Sequence, residues 1–148
     1  MKINRKWATV AVVWMAMIFC FTQLPYFTGD STARVIKRII EMFHHAKSTP
    51  DKPNVLTDIL NFLIRKATHL TVFGILGLLF FKTLQNYKYS YLYAWILTFV
   101  YAMTDEYHQS LVPNRTSSFR DVLIDSFGAL VVLLITFAVN RKRLRGQE

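Results

Sequence analysis

The sequence predicts an all-α integral membrane protein: a four-helix bundle with an additional amphipathic interfacial helix in the first outer loop. Three observations lead there. The 148 residues are 53% hydrophobic and 15% aromatic, and the apolar residues gather into blocks instead of alternating with polar ones. The blocks have the length of a bilayer core. The charged residues collect between them. A soluble bundle with long core helices would alternate apolar and polar faces along each helix, and these blocks do not. The length suits one domain covering residues 1–148.

The first span is expected at about residues 7–24, where Trp7 to Leu24 carries no charge. Such a run spans roughly 27 Å as a helix, close to the thickness of a bilayer core. Lys2, Arg5 and Lys6 precede it, as in a secretory signal. The residues that follow, Thr22-Gln23-Leu24-Pro25-Tyr26, offer no small-x-small cleavage site, so a retained anchor is expected.

A long loop follows, from about Pro25 to Lys66. Gly29-Asp30-Ser31-Thr32 supplies helix caps and Ser48-Thr49-Pro50 a stop, which places a helix at about residues 32–46. At helical spacing Val35, Ile36, Ile39, Ile40, Met42, Phe43 and Ala46 share one face. Arg34, Lys37, Arg38, Glu41, His44 and His45 share the other. This pattern fits a helix lying in the membrane interface, and equally one capping the outer end of the bundle. Asp51-Lys52-Pro53 then restarts a helix, with proline suited to its first turn.

That helix is read as running from Asn54 into the second span, at about residues 67–84. Only His69 and Lys82 interrupt the apolar run. Gly74 and Gly77 lie three apart and would admit a neighbouring helix. Asn86, Tyr87 and Lys88 form a short inner turn. The third span, about 89–108, ends in the polar Asp105 region. Pro113-Asn114 marks an outer turn, and the fourth span, about 122–139, holds a single charge, Asp125.

The formal net charge of +9 does not point to nucleic acid, because the bases flank apolar spans. There they set orientation and meet anionic lipid heads. Four spans put both termini on one side, with Lys2, Arg5, Lys6, Lys82, Lys88, Arg141, Lys142, Arg143 and Arg145. The other side holds nine bases too, but most of those in the long loop lie far from a span. The first group crowds short segments beside helix ends, so both termini are expected in the cytoplasm and the polar cluster on the outer face. The lone Cys20 provides no internal disulfide.

Three groups of polar residues converge at the outer ends of spans two, three and four. On span two, Lys66 and His69 share a face. On span three, Asp105 and Gln109 lie four apart with Glu106 adjacent. On span four, Asp121 and Asp125 share a face, with Arg120 before them and Arg115 in the preceding loop. Asp125 lies about a turn inside its apolar run, where an isolated carboxylate is expensive. Lys66, Arg115 or Arg120 is the expected partner.

These groups allow several chemistries. A carboxylate beside an imidazole moves protons, which makes His69 and Glu106 the catalytic candidates. Lys66, Arg115 and Arg120 could grip a phosphate or carboxylate. Glu106 with His69 and Asp121 could hold a divalent cation, but one histidine among acids is a loose pattern, and no metal or cofactor is assigned. There is no His-Glu-x-x-His, no Gly-x-Ser-x-Gly and no Cys–His pair. The remaining reading is an ion-pair network that locks the outer helix ends.

The sequence resembles the VanZ-like membrane proteins. The likeness lies in Lys66-x-x-His69, Thr104-Asp105-Glu106-x-x-Gln109, Pro113-Asn114-Arg115, Arg120-Asp121 and Asp125-x-x-Gly128, over about residues 66–139. The family usually has Asn where this chain has Asp125, and the long first loop falls outside the motifs. The resemblance implies a helical bundle in the bacterial plasma membrane. The family's founding member is linked to resistance to teicoplanin, a glycopeptide with a fatty chain that acts on cell-wall precursors.

The leading expectation is therefore a protein whose outer polar cluster binds an anionic lipid or lipid-linked cell-wall precursor and influences glycopeptide susceptibility. Lys66, Arg115 and Arg120 would contact the anion. Asp105, Glu106 and Asp121 would orient those bases, with Gln109 and His69 completing the hydrogen bonds. The alternatives are an enzyme on the same substrates, with His69 and Glu106 as proton carriers, and a purely structural network.

Overall fold

A computed structural model describes residues 2–23, 34–36, 38–39, 55–113 and 117–145. Four long helices carry nearly all of these: α1 (Arg5–Gln23), α2 (Val55–Leu84), α3 (Ser90–Ser110) and α4 (Phe119–Arg145). No strand occurs among the described residues. Of the stretch expected as an amphipathic helix, residues 34–36 and 38–39 are helical, with Ile36 buried and Arg34, Val35, Arg38 and Ile39 exposed. The rest of it lies outside the described residues.

Segment α2 is one unbroken helix of 30 residues, so the stretch before the expected span and the span itself are continuous. At about 1.5 Å per residue it is longer than a bilayer core is thick. A tight turn follows, with Tyr87 N–H donating to Leu84 O at 2.9 Å. The four helices run alternately up and down. Asn4 N–H donates to Thr83 O (3.0 Å), and Asn86 Nδ2 to Lys2 O (2.9 Å), joining the start of α1 to the end of α2. Asn140 Nδ2 donates to Tyr91 Oη (3.0 Å), joining the far part of α4 to the start of α3. Both terminal segments therefore sit at the same end of the helices.

The helices are apolar outside and partly polar within. Val12, Val13, Leu92, Ile96, Val100, Leu123, Phe127, Leu134 and Ile135 are exposed, whereas Asp105, Glu106, Gln109, Asp121 and Asp125 are buried. A water-soluble domain has the opposite arrangement. Three helices, α1, α2 and α4, are long and apolar enough to cross a membrane. Helix α3 has the length, 21 residues, but carries Asp105, Glu106, Gln109 and several hydroxyls.

Contacts in the interior follow side-chain size. Ile18, Phe73, Leu76, Ala102 and Val122 make one buried cluster, and Phe81, Ala94 and Leu133 a second. Helices α2 and α4 approach closely. A Cβ on Gly128 would lie 2.9 Å from Leu70 Cα, backbone that cannot step aside. Gly74 faces Gly128 and Val132, and Gly77 faces Ala129. Small residues on both helices let the backbones meet, as in packed membrane helices generally. Aromatic polar tips are satisfied by carbonyls of neighbouring helices. Trp14 Nε1 donates to Val72 O (3.1 Å), Trp95 Nε1 to Ser126 O (3.1 Å) and Tyr101 Oη to Met15 O (2.6 Å). Unsatisfied, each would be costly away from water.

Candidate functional site

The polar cluster occupies the end of the bundle opposite the terminal segments. It is built by the last turn of α1, the middle of α2, the last turns of α3 and the first two turns of α4. The tight α2–α4 contact at Leu70 and Gly128 determines its centre. His69 is next to Leu70 and Asp125 is one turn before Gly128, so that contact brings their side chains together.

His69 Nδ1 lies 3.1 Å from Asp125 Oδ1. Asp125 is 0% exposed and His69 partly buried. The imidazole also stacks over Phe73, one turn further along α2, with ring centroids 6.3 Å apart. Lys66, Arg115 or Arg120 was the expected partner of Asp125; among the described residues its partner is an imidazole on the neighbouring helix. The reason is reach. Lys66 is nearly one turn before His69 on α2, and its ammonium meets Asp121, a turn before Asp125 on α4. Two rungs thus connect the helices, Lys66 with Asp121 and His69 with Asp125.

Among the described residues Asp105 meets no base. Its Oδ1 accepts from Thr22 Oγ1 (3.0 Å) and its Oδ2 from Gln109 Nε2 (2.8 Å). Gln109 is four residues on in α3, so this pair follows from helical spacing. Thr22, on α1, was not among the expected site residues. Gln23, beside it, donates to His108 Nε2, whose ring stacks on Phe19 at 4.3 Å. The signal was available: Thr22 and Gln23 end an uncharged run, at the level where α3 becomes polar. They were read only for a cleavage motif.

Glu106, expected to orient the bases, meets a backbone N–H among the described residues. Its Oε2 accepts from the backbone N–H of Ser118 at 2.8 Å. Ser118 in turn caps α4: its Oγ accepts from Arg120 N–H at 3.2 Å, and its carbonyl accepts from Asp121 N–H at 2.8 Å. A carboxylate at a helix N-terminus satisfies an otherwise orphan donor and faces the positive end of the dipole. Asp121 lies in that same first turn.

Two oxygens in the cluster have no hydrogen-bond partner among the described residues, Glu106 Oε1 and Asp125 Oδ2. One ligand atom each from His69, Glu106 and Asp125 lie within 4.8 Å of one another. The trio weighed from the sequence was His69, Glu106 and Asp121. Asp125 replaces Asp121, which is engaged by Lys66.

At the rim, Lys66 is partly exposed, its side chain at 25%. Arg120 is exposed and its side chain makes no ion pair among the described residues. Arg115 lies outside the described residues, as does Asn114. The arrangement is a buried acidic interior with basic groups at its edge.

No curated protein and no solved structure matches the chain. The sequence profile described as VanZ/LLP1 matches residues 7–140. That match takes in the first apolar helix and the long loop, which the motifs between Lys66 and Gly128 had left out. The chain, with its membrane-length apolar helices, belongs to the VanZ/LLP1 family.

Proposed function

We propose that this is a four-span plasma-membrane protein that binds the anionic headgroup of a lipid or lipid-linked cell-wall precursor at its outer face. In that role it alters susceptibility to teicoplanin-type glycopeptides. The observation that carries the reading is the position of Lys66. It stands partly exposed at the edge of an otherwise buried cluster, anchored by Asp121 and thus held ready for a second anionic partner. Arg120 is exposed nearby on α4. A phosphate oxygen at the bilayer surface matches both in charge and in depth.

Helix α3 supports the count of four spans. Its acids, Asp105 and Glu106, are buried against other helices, while Leu92, Ile96, Val100 and Met103 form its exposed face. A helix with that surface can contact lipid although its composition is mixed. The basic segments Lys2–Lys6 and Arg141–Arg145 share the end opposite the cluster. The positive-inside rule then puts that end in the cytoplasm and the cluster outside.

The His69–Asp125 pair favours one second reading, an enzyme acting on the same class of substrate. An imidazole oriented by a buried carboxylate is a common proton carrier. Teicoplanin susceptibility in a sensitive host separates the readings, with all variants matched for membrane abundance. For a binder, Lys66→Gln with Arg120→Gln abolishes protection, and Glu106→Gln retains most of it. For an enzyme that needs a proton acceptor, Glu106→Gln alone removes it. Equal protection by wild type and by the Lys66, Arg120 double variant would sink the headgroup reading.

A further inference from the structure

Among the described residues the charges of the buried cluster do not balance. Asp105 is satisfied by two neutral donors and Asp121 by Lys66. Glu106 and Asp125 each have one bonded oxygen and one without a partner among the described residues. Glu106 is 5% exposed and Asp125 0%, so water does not reach these oxygens freely. Between them stands a single imidazole. Two carboxylates with orphan oxygens around one histidine constitute a large uncompensated cost in a low-dielectric interior. Such oxygens call for a further partner: an ion, a shared proton or a bound water.

We propose that His69, Glu106 and Asp125 form a binding site for a divalent transition-metal ion, with one ligand from each of α2, α3 and α4. Their ligand atoms lie within 4.8 Å of one another. Ligands at about 2.1 Å around a tetrahedral ion are roughly 3.4 Å apart, so modest side-chain rotation closes the set. The donor set selects the metal class. Imidazole nitrogen favours Zn2+ and similar ions over Mg2+ and Ca2+, and two carboxylates bring Mn2+ into range. Three protein ligands leave a coordination position open, which suits a water molecule or a phosphate oxygen.

The surroundings complete the site. The Ser118 N–H holds the second oxygen of Glu106, which fixes the direction of the first. Phe73 lies parallel to the imidazole and supplies an apolar wall beside it. Outer hydrogen bonds and packing of this kind orient metal ligands. A charge of +2 also offsets the negative charges that Glu106 and Asp125 bring into the interior. The cation site does not depend on the headgroup reading; metal binding is a property of the chain alone.

The test uses the full-length chain, purified in detergent without a polyhistidine tag. The chain is dialysed against Zn2+ and against Mn2+, metal content is measured, and Co2+ is added to record visible absorption. The expected result is about one Zn2+ or Mn2+ per chain, a Co2+ spectrum displaced by Zn2+, and a higher unfolding temperature with metal. Asp125→Asn, Glu106→Gln and His69→Gln should each weaken binding at least tenfold and remove the metal-dependent temperature shift. His108→Gln, altering an imidazole in the separate Gln23 network, should change neither, and serves as the folded control. If the wild type holds no stoichiometric metal, a shared proton or a bound water joins the carboxylates and the proposal is wrong. It is equally overturned if the three ligand variants elute as folded protein and still bind as the wild type does.

Discussion

Asp125 on α4 meets His69 on α2 across 3.1 Å, and the carboxylate is completely shielded from solvent. Deleting the carboxylate leaves a buried imidazole without its partner, whereas an amide keeps an acceptor in place. Asp125→Ala should therefore destabilise by about 2 kcal/mol in metal-free buffer, and Asp125→Asn by clearly less. Denaturant unfolding in mild detergent, followed by tryptophan fluorescence, measures both. Equal losses would mean that the pair contributes only through packing volume.

Gly128 lies against the backbone of Leu70 with no space for a methyl group. Gly128→Ala must push α2 and α4 apart, at a cost of about 1–3 kcal/mol. Gly77→Ala, which meets the Ala129 side chain, should cost less. The separation also pulls His69 from Asp125, so Gly128→Ala should impair function more than its stability loss alone accounts for. Thermal melting alongside susceptibility assays checks this; wild-type melting for Gly128→Ala would contradict the close approach.

Thr22 donates to Asp105 from the last turn of α1. Thr22→Val preserves shape and removes the donor, leaving a buried carboxylate oxygen with one partner fewer. The expected loss is about 1–3 kcal/mol, against a few tenths for Thr9→Val, whose hydroxyl is exposed and bonds only its own helix. Unfolding midpoints compared in one detergent decide the matter. Similar values for the two variants would show that α1 is not tied to the cluster through this bond.

Orientation has a direct test. With Cys20 replaced by Ser, a cysteine introduced at Asn114 should react with a membrane-impermeant maleimide in intact cells, and one at Gln147 should not. The opposite pattern would place the cluster at the cytoplasmic face and remove wall precursors exposed outside from consideration.

Much of the architecture was readable because apolar blocks of bilayer length leave a chain few options. The long helices, three of them long and apolar enough to cross a membrane, the glycines of α2 and the residues that meet at one end all follow from spacing along single helices. Pairing between helices does not. Nothing in the order of residues says that Lys66 reaches Asp121 while His69 takes Asp125; that depends on how far α2 slides along α4, which Gly128 and Leu70 determine. The end of α1 drew attention only for its lack of a cleavage site, so the hydroxyl of Thr22 was not counted with the cluster. Glu106 was assigned to the bases because charge suggests charge. Its partner is a backbone N–H exposed where α4 begins, a donor common to every helix start and not encoded by a side chain.

The central claim is that the rim bases bind an anionic headgroup, and native mass spectrometry tests it most directly. The intact protein would be released from nanodiscs containing a polyprenyl phosphate and a zwitterionic phospholipid in equal amounts. The expected result is retention of the polyprenyl phosphate in preference to the phospholipid by tenfold or more, with the preference lost in the Lys66→Gln, Arg120→Gln double variant. Indiscriminate retention of both lipids by the wild type, or an unchanged preference in the double variant, would contradict it.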